Sequence, residues 1–316
     1  MEYYFAPLEG VSGAEYRRAH HRWFPGVDKY YMPFISPTQD HIFTPRELRN
    51  IAPEANAGVP VVPQLLTKNS VDFCWAAAGL KDMGYDEVNL NLGCPSGTVV
   101  TKGKGAGMLA DPEHLERFLD EIFEKTEIAI SLKTRLGMTD PEEFGRLLEI
   151  FNRYPVKLLI VHPRVREDYY RHPVRREAFE QAACYRGRLC YNGGLFTQAD
   201  LAAVRERWPG VDCLMMGQGL LADPALVMRE KGLGTLERDA LRGFHDELYY
   251  GYLEAFKSGR NTVFHMKELW SYLCRIFDGG EKLFKQIKKA QDSAAYEAAV
   301  EQIFRTLPLR QEANWE

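Results

Sequence analysis

Short apolar segments alternate with amphipathic segments along most of this chain, and this alternation constrains its fold more than any other feature. Between most of the apolar runs lie stretches with helical period, such as 69–83, 112–125 and 141–153. Strands that alternate with helices form a parallel sheet, and eight such units in about 230 residues predict an α/β fold of the (β/α)8 TIM-barrel type. The eight runs are 3–6, 29–34, 59–65, 87–92, 128–134, 158–162, 188–192 and 213–216.

An open, doubly wound sheet is the alternative that the same alternation allows. Many such sheets carry a G-x-G-x-x-G turn after the first strand, and no such turn follows residues 3–6. The pairs Asp111-Pro112 and Asp140-Pro141 predict helix starts, because aspartate caps a helix and proline suits its first position. The barrel is therefore the preferred fold.

The pattern changes after Thr235, where strand signals end. Helical periodicity alone continues from there, and Gly279 and Gly280 separate the second predicted helix from the third. The sequence thus predicts a catalytic barrel over residues 1–235 and an all-α domain over residues 236–316. The predicted helices of the second domain are 244–256, 262–277, 281–290 and 294–307.

Hydropathy and cysteine spacing argue against several classes of protein. No run of about 18 apolar residues occurs, so no membrane span is expected. The first residues lack the basic and then apolar pattern of a secretory signal. The six cysteines contain no C-x-x-C pair, which argues against a zinc ribbon or an iron–sulfur cluster and predicts no metal site. These features predict a cytoplasmic protein with reduced thiols. The sequence does not determine the oligomeric state, and a monomer is expected.

Cys94 stands where a buried strand ends, in the segment Asn-Leu-Asn-Leu-Gly-Cys-Pro-Ser. Gly93 and Pro95 break that strand, so the cysteine is expected on a loop. A thiol in this position can act as a nucleophile, a metal ligand or a proton donor. A buried cysteine that only packs is the alternative. Asn89 and Asn91 alternate on the strand, and such polar residues favour a functional site over plain packing.

Polar residues or glycines mark the carboxyl ends of seven of the eight apolar runs. In a barrel, these ends and the loops after them carry the active site. One polar end alone indicates a solvated rim, whereas seven together predict a site. The marked ends are Pro7-Leu8-Glu9-Gly10, Pro63-Gln64, Asn91 with Cys94, Lys133-Thr134-Arg135, His162-Pro163-Arg164, Asn192-Gly193-Gly194 and Gly217-Gln218-Gly219.

The two glycine-rich ends predict a phosphate site. Turns of this kind after strands seven and eight of a barrel commonly expose backbone N–H groups to a phosphate, with ordinary tight turns as the alternative. Lys133 would lie across the barrel mouth, where a cation suits the anionic reduced form of a flavin ring. Gln64 and Asn91 can supply amide hydrogen bonds to the ring edge. These features together predict flavin mononucleotide (FMN) as the cofactor.

At these residues the chain resembles the tRNA-dihydrouridine synthases. The resemblance runs from about residue 5 to residue 230 and more loosely through residues 267–272, and its most specific elements are Asn-x-Gly-Cys-Pro-Ser and Lys-x-Arg-Leu-Gly. It implies an FMN-bearing barrel with a helical RNA-binding domain that reduces uridine in tRNA with electrons from NADPH. The matching segments are Ala6–Val11, Tyr16–Arg17, Asn91–Ser96, Lys102–Leu109, Lys133–Gly137, His162–Arg164, Tyr169–Tyr170, Asn192–Gly193 and Gly217–Gly219.

The resemblance also implies residue roles. Hydride would pass from flavin N5 to C6 of the uracil, and Cys94 would protonate C5, since a thiol with a pKa of about 8.5 is mostly protonated at neutral pH. Cofactor contacts are expected from Pro7, Leu8, Gln64, Asn91, Lys133, His162, Asn192, Gly193, Gly194, Gly217 and Gln218. Substrate or RNA contacts are expected from Lys102, Arg135, Arg164, Tyr169, Lys282, Lys285 and Lys289.

The chain departs from the family pattern at Gly194 and Gln218, where the family more often has aspartate and arginine. Loss of the arginine removes a bidentate phosphate contact, so FMN would either bind more weakly or depend on other cations. The net charge of −4 gives no overall reason to expect RNA binding. Three alternatives therefore stay open: a flavin barrel that reduces a free pyrimidine, an enzyme that modifies another RNA such as rRNA, and a barrel that only binds RNA or flavin.

Overall fold

Nine parallel strands form the centre of the molecule in the computed structural model, which describes residues 1–315. Their order in the sheet is β3-β2-β1-β9-β8-β7-β6-β5-β4. Strands that are consecutive in the chain are paired, except β3 and β4, and the first strand, β1, also pairs with the last, β9. The strands are β1 (Glu2–Phe5), β2 (Lys29–Tyr31), β3 (Val61–Val62), β4 (Gln64–Leu65), β5 (Glu87–Leu92), β6 (Ala129–Gly137), β7 (Leu159–Val165), β8 (Leu189–Asn192) and β9 (Cys213–Met216).

Strands β3 and β4 are two parts of the third predicted run, 59–65. Pro63 separates them, because proline has no N–H to donate to a sheet. Strand β3 pairs with β2 and β4 pairs with β5, so this single segment joins the two edges of the sheet. The Pro63 carbonyl still accepts a hydrogen bond from Asn89 N at 2.8 Å. The predicted (β/α)8 barrel is confirmed, with an interrupted third strand.

The barrel helices follow the strands, and two predicted helix starts have different outcomes. Asp111 caps α5 as predicted, accepting from His114 N at 3.0 Å. The start predicted at Asp140-Pro141 is wrong: the helix begins at Glu143, whose carboxylate accepts from three preceding N–H groups and so holds the turn before it. The helices are α1 (Ala14–Trp23), α2 (Pro45–Ile51), α3 (Ser70–Asp82), α4 (Gly97–Val100), α5 (Pro112–Lys125), α6 (Glu143–Phe151), α7 (Gln198–Arg207), α8 (Gln218–Ala222) and α9 (Leu226–Glu230). Short 3-10 segments cover 53–56, 105–110, 166–168, 176–184 and 274–276.

Four further helices form the predicted all-α region: α10 (Arg238–Phe256), α11 (Gly259–Leu273), α12 (Gly280–Lys289) and α13 (Ser293–Thr306). Helix α10 packs on α1, where Phe244 contacts Phe24 with ring centroids 5.3 Å apart. A Cβ on Gly243 would lie 2.3 Å from the Trp23 ring, so glycine permits this close approach. The predicted boundary at residue 235 falls between α9 and α10. Across residues 1–315, no helix combines the length and apolar character needed to cross a bilayer.

Side chains fill the barrel interior, so a ligand can enter only near one end. The interior cluster comprises Tyr4, Ala6, Tyr31, Val62, Leu158, Ile160, Cys190, Cys213 and Met215, all buried. At the amino-terminal end of the barrel, Glu87 is 1% exposed and accepts from Lys29 Nζ at 2.8 Å and from the Tyr31 hydroxyl at 3.2 Å. This packed base leaves the carboxyl ends of the strands as the place for chemistry.

Candidate active site

A cleft opens at the carboxyl ends of the strands, where a barrel of this type carries its active site. Nine of the eleven predicted cofactor residues line it, together with Arg164. Gln64 and Asn91 are buried and lie outside this lining. The nine are Pro7, Leu8, Lys133, His162, Asn192, Gly193, Gly194, Gly217 and Gln218.

The two glycine turns present unused backbone donors to this cleft. Gly193 and Gly194 adopt φ values of +118° and +64°, which L-residues with side chains rarely adopt. Within residues 1–315, the N–H groups of Gly193, Gly194, Leu195 and Gly217 have no protein acceptor. Backbone N–H groups are strong donors that normally find partners, and groups of them on successive residues form anion sites. The turns therefore fit a phosphate group.

Lys133 contributes a positive charge to the same cleft. It lies on β6, beside Asn91 of β5 in the sheet register. Its ammonium group has no hydrogen-bond or ion-pair partner among the residues that the structure describes. Burial and the neighbouring Arg135 charge lower its pKa to about 8. At neutral pH the cleft therefore contains a largely protonated, uncompensated ammonium group suited to an anionic ligand.

His162, at the end of β7, is neutral. The side chain is 5% exposed, and burial together with the charges of Lys133, Arg135 and Arg164 holds its pKa well below the usual range. Arg164 Nη1 donates to His162 Nε2 at 3.3 Å, which places the imidazole proton on Nδ1. A Cβ on Gly193 would lie 2.7 Å from the ring carbon Cδ2, so the histidine packs directly on the glycine turn.

Buried amides connect the strands beneath the cleft. Gln64 Nε2 donates to Asn89 Oδ1, and Asn91 Nδ2 donates to Gln64 Oε1, each at 2.8 Å. Asn91 Oδ1 then accepts from the backbone N–H groups of Gly93 and Cys94 at 3.0 and 2.9 Å. The predicted contacts of Gln64 and Asn91 with a ring edge stay predictions. Their observed partners hold the Cys94 loop in place.

Cys94 lies on that loop and is partly exposed. Burial raises the pKa of its thiol. The backbone N–H of Ser96 and the charges of Arg135 and Lys133 lower this pKa, but the effect of burial is larger. The Cys94 carbonyl also accepts from Ala106 N at 3.1 Å, which fixes the loop from its other side. The thiol is therefore protonated at neutral pH and is suited to donate a proton.

Arg135 is fully buried, and its predicted contact with the substrate stays a prediction. Its guanidinium donates to three backbone carbonyls: Gly93 at 2.9 Å, Val165 at 2.9 Å and Tyr169 at 3.1 Å. The loops after β5 and β7 enclose this side chain, so Arg135 connects and positions these two loops.

The remaining predicted RNA contacts lie outside the cleft lining. Tyr169 is partly exposed beside the cleft, whereas the lining includes its neighbour Tyr170, 56% exposed, which the predicted set omitted. The sequence signal that could have indicated Tyr170 is the pair of adjacent tyrosines, 169 and 170, that follows the end of a strand. Four lysines are exposed elsewhere: Lys102 on the loop after Cys94, and Lys282, Lys285 and Lys289 on α12.

The helical region and the segment after it also contact the cleft wall. Helix α11 packs on α8, which begins at Gln218, and the Trp315 ring stacks on Phe196 with centroids 4.0 Å apart. Phe196 and Gln218 both line the cleft. No local sequence pattern indicates these contacts, because the partners are far apart in the chain. No group of three or more His, Cys, Asp or Glu side chains within residues 1–315 is arranged to hold a metal ion.

Solved structures resemble this fold at low sequence identity. A mutant of morphinone reductase in complex with tetrahydroNAD aligns with 73% of this chain and 86% of its own, with a TM-score of 0.52 and 13% identity. A second structure, morphinone reductase in complex with tetrahydroNAD, aligns with 75% of this chain and 88% of its own, with a TM-score of 0.50 and 14% identity. At these identities the likeness supports the barrel fold alone.

Sequence comparison relates the chain to enzymes that modify tRNA. A protein from Ralstonia nicotianae named tRNA-dihydrouridine(16) synthase is 30% identical over 263 residues, which cover 81% of this chain and 80% of that protein. A protein of the same name from Pseudomonas putida is 26% identical, and the alignment covers 93% of this chain and 94% of that protein. The profile of the dihydrouridine synthase family matches residues 4–308. The predicted resemblance and the predicted class of flavin-dependent oxidoreductase are confirmed: the chain belongs to the dihydrouridine synthase family.

Proposed function

We propose that this protein reduces uridine in tRNA to 5,6-dihydrouridine in the cytoplasm, with FMN in the cleft and NADPH as the reductant. One observation carries the cofactor assignment. Backbone donors at Gly193, Gly194 and Gly217 share one cleft with the Lys133 ammonium group, and none of these groups has a partner among residues 1–315. This combination suits a ligand with a phosphate group and an anionic ring.

FMN fits the chemistry of the residues present. The two glycine turns would hold its phosphate, and Lys133 would lie against the ring. Arg164 lines the cleft and has no carboxylate partner within residues 1–315, so it supplies a cation for a site that lacks arginine at position 218. Bound FMN, once reduced by NADPH, would supply the hydride that C6 of the uracil receives.

Cys94 would complete the reduction by donating its proton to C5 of the uracil. The raised pKa of the thiol keeps it in the donor form at neutral pH. Asn91 and Arg135 hold the backbone of its loop through hydrogen bonds at 2.9 Å each. These contacts support a fixed proton donor over a freely moving side chain, since positioned groups react faster than mobile ones.

Transfer RNA is the proposed substrate because the curated relatives carry that name, and position 16 is the first position to test. The exposed lysines on α12 are proposed to contact RNA phosphates, as is Lys102 beside the Cys94 loop. None of Lys102, Lys282, Lys285 and Lys289 forms an ion pair within the part of the chain that the structure describes. Free pyrimidine and rRNA are the alternatives that the test must separate.

The test combines cofactor analysis with nucleoside mass spectrometry. Heating the purified protein should release FMN. A deletion strain should lose dihydrouridine from tRNA, at position 16, and regain it from a plasmid copy. The purified enzyme with NADPH should restore dihydrouridine in tRNA from that strain and should leave free uridine unchanged. Release of FAD or of no flavin would refute the cofactor assignment, and loss of dihydrouridine from rRNA alone would support the rRNA alternative.

Gly193→Ala should weaken FMN binding by about tenfold or more. The new Cβ would lie 2.7 Å from His162 Cδ2 and 3.0 Å from Val174 Cγ1, at a φ of +118° that alanine rarely adopts. Fluorescence titration of the flavin-free protein measures the affinity. Gly145→Ala on α6 is the matched control, because a Cβ there contacts nothing within 4 Å. Unchanged affinity in Gly193→Ala would contradict the proposed role of this turn.

A further inference from the structure

The end of β7 and the loop after it concentrate positive charge in an acidic protein. Residues 163–176 contain five arginines and two carboxylates, although the chain has a net charge of −4. Two of the arginines are neutralised: Arg175 pairs with Asp168 at 2.9 Å, and Arg176 pairs with Asp200 at 3.0 Å. The other three, Arg164, Arg166 and Arg171, have no carboxylate partner within residues 1–315. This loop therefore carries uncompensated charge beside the cleft.

Tyr169 has a strained backbone in this loop, with φ at +47°. Its carbonyl accepts from both terminal nitrogens of Arg135, each at 3.1 Å. Asp168, the preceding residue, accepts from Val165 N at 3.0 Å and from Arg175. Strain of this kind persists only where the surroundings enforce it, and it is common at binding sites. These contacts therefore hold the backbone at Tyr169 in a set conformation.

The Tyr169 ring lies close to two of the unpaired arginines. The Arg166 guanidinium is 4.9 Å from the ring centroid, and that of Arg171 is 5.8 Å away. A guanidinium over an aromatic face keeps its N–H groups available at its edge. Arg166 Nε is buried and has no hydrogen-bond acceptor within the described chain. We call Arg166, Tyr169 and Arg171 the arginine clamp.

The arginine clamp adjoins the cleft through Tyr170. The Tyr170 side chain lines the cleft, and its ring centroid lies 6.0 Å from the ring centroid of His162. The Arg164 guanidinium lies 5.5 Å from the centroid of the Tyr170 ring. Tyr169 and Arg171 are the chain neighbours of Tyr170, so the clamp belongs to the same segment that forms this part of the cleft wall. Guanidinium groups without carboxylate partners suit phosphodiester oxygens, which accept bidentate hydrogen bonds.

We infer that the arginine clamp binds the phosphodiester backbone of the substrate RNA next to the nucleotide whose base enters the cleft. The inference rests on the proposed function and adds to it the place where the polynucleotide is held. A uridine in folded RNA must leave its stack to reach the cleft, and contacts to the neighbouring backbone offset that cost. A free pyrimidine has no such backbone, so the clamp would select RNA over free base.

The test removes the clamp charges in Arg166→Gln/Arg171→Gln and compares a matched control, Arg117→Gln/Arg186→Gln. The control arginines are exposed, lie on α5 and before β8, and form no ion pair among residues 1–315. Affinity for unmodified tRNA is measured without NADPH over a range of salt concentrations. The clamp variant should bind about tenfold more weakly at moderate salt. Its logarithmic salt slope should fall by about 1.4, which corresponds to two lost contacts to a single strand. Flavin content and NADPH oxidation without RNA should match the parent.

Substitutions of Tyr169 separate the ring from the charges. Tyr169→Phe keeps the aromatic face and should bind tRNA like the parent. Tyr169→Leu should weaken binding severalfold, because the two guanidinium groups lose the surface that positions them. Melting temperatures of both variants show whether the strained turn has stayed folded. A Tyr169→Leu variant that folds and binds like the parent would overturn the role assigned to the ring.

Three outcomes would overturn the inference. Parent-like affinity and salt slope in the clamp variant would show that RNA does not contact it. A raised KM for NADPH with unchanged tRNA binding would assign the clamp to the phosphate of the reductant. Equal losses of tRNA affinity in the clamp and control variants would show that only the net charge of the protein matters, and not the position of these arginines. If the parent itself has no affinity for tRNA, the proposed function fails, and the inference fails with it.

Discussion

Cys94→Ala should form dihydrouridine more slowly by a factor on the order of 10² to 10⁴, the usual contribution of a positioned general acid. Flavin content and NADPH oxidation should stay at the parent level, because the cleft lining does not include Cys94. Only the proton donated to C5 of the uracil is lost. Rapid-mixing measurement of each half-reaction, with tRNA from a deletion strain, would locate the loss in the step that consumes uridine.

The controls for this substitution use other cysteines and the pH. Cys184→Ala removes an exposed thiol outside the cleft lining and should have parent activity. Burial raises the pKa of the Cys94 thiol, so the protonated donor persists through neutral pH, and turnover should decline as the pH rises through that raised value. Cys94→Ser is less decisive, because a hydroxyl can also relay a proton. Near-parent product formation by Cys94→Ala would refute the assignment.

Lys133→Met should weaken FMN binding by about 10- to 100-fold, the range expected when a charged hydrogen-bond donor is lost from a buried site. In the flavin-free parent, Lys133 has a pKa of about 8, so its positive charge is present below that pH and is lost above it. Parent affinity for FMN should therefore decline as the pH rises through 8. Calorimetric titration across this pH range, in buffers of different ionisation enthalpy, measures both the affinity and the proton taken up on binding.

Lys133→Met should show neither the decline in affinity near pH 8 nor the proton uptake, since methionine does not titrate. Lys133→Arg keeps a permanent charge and should bind FMN with little change in affinity across that pH. Lys81→Met is the surface control, because this lysine pairs with exposed Glu127 on the outside of the barrel. An unchanged affinity in Lys133→Met would show that the ammonium group does not contact the cofactor.

The order of strands and helices could be predicted because each depends on local periodicity. Apolar runs bounded by glycine and proline became strands, and the four predicted helices after residue 235 are all present. The position of the cleft followed as well, because parallel strands bring their carboxyl ends to one edge. For this reason the glycine turns at Gly193 and Gly217, Lys133 and His162 all line one cleft although they are far apart in the chain.

The partners of buried polar groups could not be predicted in the same way, because they come from distant segments. Arg135 donates to the Tyr169 carbonyl, 34 residues away, and Gln64 bonds to Asn91, 27 residues away. Both side chains could equally have faced a ligand when judged by residue type and strand position. A buried donor must find an acceptor, and only the packing of neighbouring loops determines which one it meets.

Residue type and spacing therefore establish the barrel, the edge that carries the site and the loop that carries Cys94. Tertiary packing determines which of the polar side chains at that edge stay free for a ligand. Lys133 is left without a hydrogen-bond partner among residues 1–315, whereas Arg135 donates its hydrogen bonds to backbone carbonyls. The packing also stacks Trp315 on Phe196 at the cleft wall, a contact between residues 119 positions apart. The physical reason is that periodicity reports which face of an element is buried, while hydrogen-bond partners depend on where the other elements come to lie.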